Sequence, residues 1–225
     1  NLTYNWQENT SSGFVDIVDG GFYSNATTAT LTITKPTVAM NSNQYRVIIS
    51  AGPDATVTSV GNATLIATKK ALTVTAVDAS KSYDGLAYNG GNNATYSGFV
   101  NGEDETVLGG TLAYSGTSQG AIDFGSYVIT PSGLTSDNYE ISFIDALLTV
   151  GQKTASVVAV AKDKIYGAAN PVLTETVTGT VNDDVLVYSL ATAANELSGV
   201  GTYDIVVTLG SNPNYAVSAT DATLN

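Results

Sequence analysis

Two acidic clusters are the residues of this chain whose types and spacing could do chemistry. Each cluster sets Asn beside carboxylates, whose hard oxygen atoms are ligands that calcium accepts. Neither has the alternating Asp/Asn spacing and distal Glu of an EF-hand loop. A solvated loop leading into a helix start is the preferred interpretation, and a calcium site that stiffens a junction is the alternative. The clusters comprise Asn101, Glu103, Asp104 and Glu105, and Asn182, Asp183 and Asp184.

The composition excludes most catalytic chemistry. The 225 residues include no His and no Cys, so the chain lacks the commonest general base, a thiolate nucleophile and the usual transition-metal ligands. Paired carboxylates could in principle support glycoside hydrolysis, but small repetitive modules offer no obvious cleft. We therefore predict that the protein is not an enzyme and has no catalytic, cofactor-binding or resident metal-binding residues.

The net charge of −12, with only 8 Lys and Arg residues, limits the classes of partner. A surface of this sign repels phosphate, so binding to nucleic acid or to anionic lipid is disfavoured. No run approaches the roughly 18 apolar residues of a transmembrane helix, and no basic and apolar leader opens the sequence. We predict no direct membrane insertion. A Cys-free chain rich in Thr, Ser, Asn and Gly fits an extracellular bacterial protein.

A period of two runs through the hydrophobic pattern, which predicts strands. Clusters of Gly, Pro, Asn and Asp separate the strands at roughly ten-residue spacing, which is typical of all-β or mostly β proteins. The clearest alternating runs lie at 29–33, 45–49, 72–76, 139–143 and 203–209. Only short helical turns are expected besides, and the candidates are 104–108, 183–186 and 191–197.

The chain nearly repeats itself over most of its length. Residues 69–150 and 152–225 share an opening with Lys, a Tyr-Gly-type turn, a Val-Asn step into acidic residues, and an Asn-Tyr pair. Such self-similarity indicates an array of small modules. Each copy exceeds the roughly 40 residues below which disulfides or metals are usually needed, so each could fold alone.

Ordered motifs identify the kind of module. Residues 166–174 read Tyr-Gly-Ala-Ala-Asn-Pro-Val-Leu-Thr, and Thr-Gly at 178–179 and Asn-Asp-Asp at 182–184 follow. This order resembles the Tyr-Gly-x-x-Asn-Pro-x-Leu-Thr signature of MBG (mostly-β-grasp) repeats in bacterial surface adhesins. The earlier copy has Tyr-Asp-Gly at 83–85 and resembles the YDG variant, although it lacks the Asn-Pro pair.

The first 68 residues differ from both copies. Trp6 lies in a Tyr-Asn-Trp-Gln run, and Tyr45 follows Asn41 at the start of an alternating run. These motifs resemble the core-Trp strand and the tyrosine-corner strand of an immunoglobulin-like domain, with Val47 where such domains often have Cys. Because the strands that should precede the Trp strand are missing, the chain is interpreted as a window cut from a longer protein. Completion of this domain by a strand from elsewhere is the alternative.

Tyrosine is the dominant aromatic residue, with 13 copies. Tyr83 and Tyr166 precede tight turns in the two copies and are expected to lock those turns. The tyrosines at strand starts are expected to pack in the core with a tethered hydroxyl. These are Tyr45, Tyr127, Tyr139, Tyr203 and Tyr215.

The sequence therefore predicts three modules: a partial Ig-like β-sandwich at 1–68, an MBG/YDG-type repeat at 69–150 and an MBG-type repeat at 151–225. Because the junctions are only a few residues long, we expect an elongated rod of about 100 Å. The resemblance implies a structural stalk segment of a large bacterial cell-surface or secreted adhesin, with neighbouring modules of the same chain as partners. The alternative is a module that binds carbohydrate, another surface protein or calcium through loops that differ between the copies, such as 86–95.

Overall fold

The computed structural model describes all 225 residues and shows an all-β chain, as predicted. Its helical structure is confined to two 3₁₀ turns at Val38–Met40 and Glu105–Val107. No helix is long and apolar enough to cross a bilayer. The chain forms two compact units, one made of residues 1–74, 96–112 and 133–142 and the other of residues 75–95, 113–132 and 143–225.

Seven strands form two sheets in the first 68 residues. The larger sheet has the order β2-β1-β5-β6, with β7 also paired to β5, and β3 and β4 form a separate two-stranded sheet. The strands are β1 (Thr3–Asn9), β2 (Phe14–Asp16), β3 (Tyr23–Ser24), β4 (Thr32–Ile33), β5 (Gln44–Ser50), β6 (Thr56–Thr58) and β7 (Ala63–Thr64).

Both of these sheets contribute to one core. Tyr45 from the larger sheet is buried, and Trp6 and Ile33 from the two sheets pack in the same cluster. The Tyr45 hydroxyl donates a hydrogen bond to Glu8 Oε1 at 2.9 Å and lies 3.2 Å from the Tyr23 hydroxyl. A tyrosine corner would instead direct this hydroxyl to the backbone, so the half-buried Glu8 carboxylate takes that place here.

Three local predictions from the sequence are wrong. The strand expected over 29–33 is limited to Thr32–Ile33, because the Thr28 hydroxyl bonds the carbonyl oxygens of Asn25 and Thr30 and bends the chain. Residues 183–186 form no helical turn. Residues 191–197 form none either, since β17 extends to Thr192 and a turn follows it.

The middle and last repeats supply the other thirteen strands. In the middle repeat they are β8 (Lys70–Ala76), β9 (Ala79–Ser82), β10 (Ala94–Ser97), β11 (Gly109–Ser115), β12 (Gly125–Thr135), β13 (Tyr139–Ile144) and β14 (Ala146–Gly151). In the last repeat they are β15 (Lys153–Ala159), β16 (Glu175–Thr178), β17 (Tyr188–Thr192), β18 (Tyr203–Leu209), β19 (Tyr215–Thr220) and β20 (Ala222–Leu224).

The two repeats share one plan of two sheets. The orders β10-β8-β13 and β16-β15-β19 match, and so do β11-β12-β14 and β17-β18-β20. In the middle repeat β9 adds a parallel strand beside β14. In the last repeat a single parallel bridge from Lys162 to Leu224 takes its place. The match of strand orders explains the repetition in the sequence.

A single apolar core extends through residues of both repeats. Ile129 and Leu148 from the middle repeat and Val157 and Ile205 from the last repeat belong to one cluster, and each is fully buried. All four lie in the second compact unit. Because burial of apolar side chains is the main force that holds β modules together, these parts of the two repeats are not independent folding units.

Candidate functional site

The Val-Asn step of each repeat forms a tight turn that ends in a carboxylate. The Glu103 N–H donates to the Val100 carbonyl oxygen at 3.0 Å, and the Asp184 N–H donates to that of Val181 at 2.9 Å. The two central residues have positive φ in both turns, as a type I′ turn requires. Asn-Gly at 101–102 is the sequence that favours this geometry most. We name residues 100–103 and 181–184 the acid turns.

A buried tyrosine lies beneath each acid turn. The N–H of Val181 donates to the Tyr215 hydroxyl at 3.1 Å, and this hydroxyl donates to Asp184 Oδ2 at 2.6 Å. In the middle repeat the N–H of Val100 donates to the Tyr139 hydroxyl, which donates to Glu103. Burial and the hydrogen bond to the carboxylate raise the pKa of both tyrosines above its ordinary value.

Tyr83 of the middle repeat joins the acid turn of the last repeat. Its hydroxyl donates to Asp184 Oδ2 at 2.9 Å, and its ring meets that of Tyr215 edge to face with centroids 5.4 Å apart. The bond to Asp184 raises the pKa of Tyr83, and burial adds to the effect. One carboxylate oxygen therefore accepts hydrogen bonds from two buried tyrosines, one from each repeat.

A close backbone approach lies beside this contact. The Asn182 side chain donates from Nδ2 to the Asp84 carbonyl oxygen at 3.0 Å. A Cβ placed on Gly85 would lie 1.5 Å from Asn182 Nδ2. Gly85 also has φ of +70°, a conformation that favours glycine. The turn is braced by Lys81, whose Nζ lies 2.6 Å from Asp84 Oδ1.

The Asn of each Asn-Tyr pair contacts the module that precedes it. Asn214 Oδ1 accepts from the Phe124 N–H at 2.8 Å, and Asn214 Nδ2 donates to Asp123 Oδ1 at 2.9 Å. In the same way, Asn138 Oδ1 accepts from the Val38 N–H at 2.9 Å. The Asn therefore ties each repeat to the module before it, while the adjacent Tyr holds the acid turn of its own repeat.

The acidic clusters serve in hydrogen bonding within the protein. Glu103 and Asp184 bind tyrosine hydroxyls. Asp104 caps the 3₁₀ turn Glu105–Val107, where its Oδ1 accepts from the Thr106 N–H at 3.0 Å. No three acidic side chains converge in a group that could hold a metal ion.

The structure divides the tyrosines that the sequence singled out. Tyr45, Tyr139 and Tyr215 are buried and Tyr127 and Tyr203 are half-buried, as their register predicts. The hydroxyl of Tyr83, a residue expected to lock its own turn, bonds Asp184, 101 residues away in sequence. Tyr166, its counterpart, is 64% exposed.

Comparisons with known proteins agree with the repeat structure. The family model for the MBG domain (YGX type) matches residues 72–149 and 155–225. No curated protein matches the chain.

Solved structures with similarity to the chain include a titin fragment and the N-terminal Ig domains of DSCAM proteins. The I-band fragment I67–I69 of titin is 13% identical, with a TM-score of 0.34, and the match covers 100% of this chain and 87% of the fragment. The N-terminal eight Ig domains of DSCAM isoform 1.30.30 are 13% identical, with a TM-score of 0.27, and cover 100% and 36%. The N-terminal four Ig domains of Dscam1 isoform 4.44 are 16% identical, with a TM-score of 0.22, and cover 100% and 67%.

Proposed function

The chain belongs to the MBG domain (YGX type) family through its two repeats, and we propose that it is a structural stalk segment of a bacterial surface or secreted adhesin. MBG and Ig-like domains are β-rich structural or binding modules of adhesin-like proteins, and they are typically not enzymes. In this proposal the modules act by holding one another in line and projecting a binding region, without catalysis. Neighbouring modules of the same long chain are the partners.

The observation that carries the proposal is the bonding between the repeats. Asp184 accepts hydrogen bonds from tyrosines of both repeats, and residues of both repeats share one core. A flexible string of independent binding modules needs neither feature. A segment that transmits load needs both, because an unsupported junction would yield first.

A pulling experiment tests this proposal. The chain is held by its two ends and stretched, and the force at which the repeats separate or unfold is compared among variants. Tyr83→Phe removes the hydroxyl that bonds Asp184 between the repeats. We therefore expect the repeats to separate at a lower force than in the unmodified chain. Tyr166→Phe is the matched control, because its counterpart hydroxyl is exposed, and we expect no change.

Two further measurements on the full chain distinguish the structural role from ligand binding. Binding of the full chain to a glycan array, and its thermal stability with and without calcium, are measured in parallel. The proposal expects no glycan binding and no shift with calcium. Equal forces for Tyr83→Phe and the unmodified chain, or glycan binding that depends on residues 86–95, would contradict it.

A further inference from the structure

An exposed face of the last repeat matches the face by which the middle repeat contacts its neighbour. We name it the Tyr166 face and define it by Tyr166, Gly199, Val200, Tyr203 and Leu224, which line a cavity of about 60 Å³. These residues occupy the positions of Tyr83, Asp123, Phe124, Tyr127 and Leu148 in the middle repeat.

Strand register establishes this correspondence. Tyr127 pairs with Leu148 between β12 and β14, and Tyr203 pairs with Leu224 between β18 and β20. Leu148 pairs with Ala79 in parallel register, and Leu224 bridges Lys162 in the same sense. Counting four residues onward from Ala79 and from Lys162 reaches Tyr83 and Tyr166.

The receiving loop is also built alike in both repeats. The Tyr127 hydroxyl donates to the Asp123 carbonyl oxygen at 2.9 Å, and the Tyr203 hydroxyl donates to that of Gly199 at 3.1 Å. Val200 therefore stands where Phe124 presents its N–H to Asn214.

Burial distinguishes the two faces. Tyr83 is 6% exposed and Phe124 is 51% exposed at the contact with the last repeat, whereas Tyr166 is 64% exposed and Val200 is 99% exposed. Leu148 and Leu224 are both fully buried. Ile165 beside Tyr166 is exposed as well.

We propose that the Tyr166 face docks a further module of the same family, and this rests on the structural role proposed above. The acid of the incoming module's turn accepts the hydrogen bond of the Tyr166 hydroxyl. The Asn of its Asn-Tyr pair accepts from the Val200 N–H. The partner is thus defined by chemistry that the chain already uses between its own repeats.

One difference between the faces selects among such modules. Gly85 leaves room for the Asn182 side chain, whereas Ala168, also two residues beyond its tyrosine, carries a Cβ. The incoming module is therefore expected to have glycine, rather than asparagine, after the Val of its acid turn.

A lengthened chain tests the docking. A copy of residues 150–225 is fused after Asn225. Residue 150 of the copy then follows Leu224 by two positions, as Val150 follows Leu148 in the chain. The copy carries Asn182→Gly, which leaves room for the Cβ of Ala168. It also carries Tyr166→Phe, so that the measured nitration of Tyr166 comes from the original chain alone. Nitration of Tyr166 by tetranitromethane is measured by peptide mass spectrometry in the chain and in the lengthened chain. Nitration of Tyr215 is followed in both modules as well. Because Tyr215 is buried in a folded repeat, its protection shows whether the copy is folded.

We expect nitration of Tyr166 to fall by about tenfold or more in the lengthened chain, as for a group that reacts only after local opening. Asp184→Ala in the copy should restore much of the reactivity. Unchanged nitration of Tyr166 would overturn the inference whether or not the copy folds, because docking on a matching face would also stabilise the folded copy. Protection that persists in the Asp184→Ala copy would overturn the proposed chemistry. Neither result would alter the Tyr83 pulling test.

Discussion

Asp184→Ala is expected to lower the free energy of unfolding of the second compact unit by about 2–3 kcal/mol. The substitution removes the shared acceptor of the Tyr83 and Tyr215 hydroxyls. Both tyrosines are buried, and their hydroxyls lose a charged hydrogen-bond partner. Chemical denaturation of the full chain, followed by near-ultraviolet circular dichroism, measures the loss.

Asp183→Asn is the matched control for this substitution. It removes one negative charge at the adjacent residue, and Asn tolerates the positive φ of this position. The Asp183 side chain has no tyrosine partner, so we expect a change within about 0.5 kcal/mol. Equal losses for Asp184→Ala and Asp183→Asn would mean that charge, and not the tyrosine bonds, accounts for the effect.

Gly85→Ala is expected to destabilise the same unit by about 2–3 kcal/mol. The new Cβ would meet Asn182 Nδ2, so the bond from Asn182 to the Asp84 carbonyl must break or the loop must move. The left-handed backbone at Gly85 adds its own strain for any residue with a side chain. Denaturation of the full chain measures the sum of the two effects.

Gly167→Ala isolates the contribution of the junction. Gly167 has φ of +83°, but nothing lies within 4 Å of the position of its Cβ. We expect it to cost only the backbone strain, about 1–2 kcal/mol. Asn182→Gly should recover part of the loss when it is combined with Gly85→Ala. If Gly85→Ala cost no more than Gly167→Ala, the close approach between the repeats would contribute nothing.

The sequence predicted those features of the fold that depend on local order along the chain. Alternation over 72–76 and 203–209 predicted strands β8 and β18 because their side chains face a core on one side only. The helical expectations at 183–186 and 191–197 failed because local hydrogen bonding decided them. At 182–183 the backbone adopts positive φ, and at 195–198 the Asn195 and Ser198 side chains bind the main chain.

The contact between the two repeats, in which Tyr83 bonds Asp184 and Asn182 bonds Asp84, could not be predicted from the sequence. Its hydrogen bonds join residues that lie far apart along the chain. Nothing near Tyr83 in sequence indicates that its hydroxyl reaches Asp184. A partial signal was present: an acid three residues after Val and an Asn-Tyr pair recur in both repeats. Their recurrence indicated a shared structural role, whereas Glu103 and Asp184, taken as members of acidic clusters, were interpreted as parts of a solvated loop, with calcium binding as the alternative.

We infer that the repeats are energetically coupled through Tyr83 and Asp184. A double-mutant cycle measures this coupling from the unfolding free energies of the chain, Tyr83→Phe, Asp184→Ala and the double variant. We predict a coupling free energy of about 1–2 kcal/mol, which lies within the range of roughly 0.5–3 kcal/mol found for residues that share a hydrogen-bond network. Effects that add to within about 0.3 kcal/mol would show that this contact does not couple the two repeats.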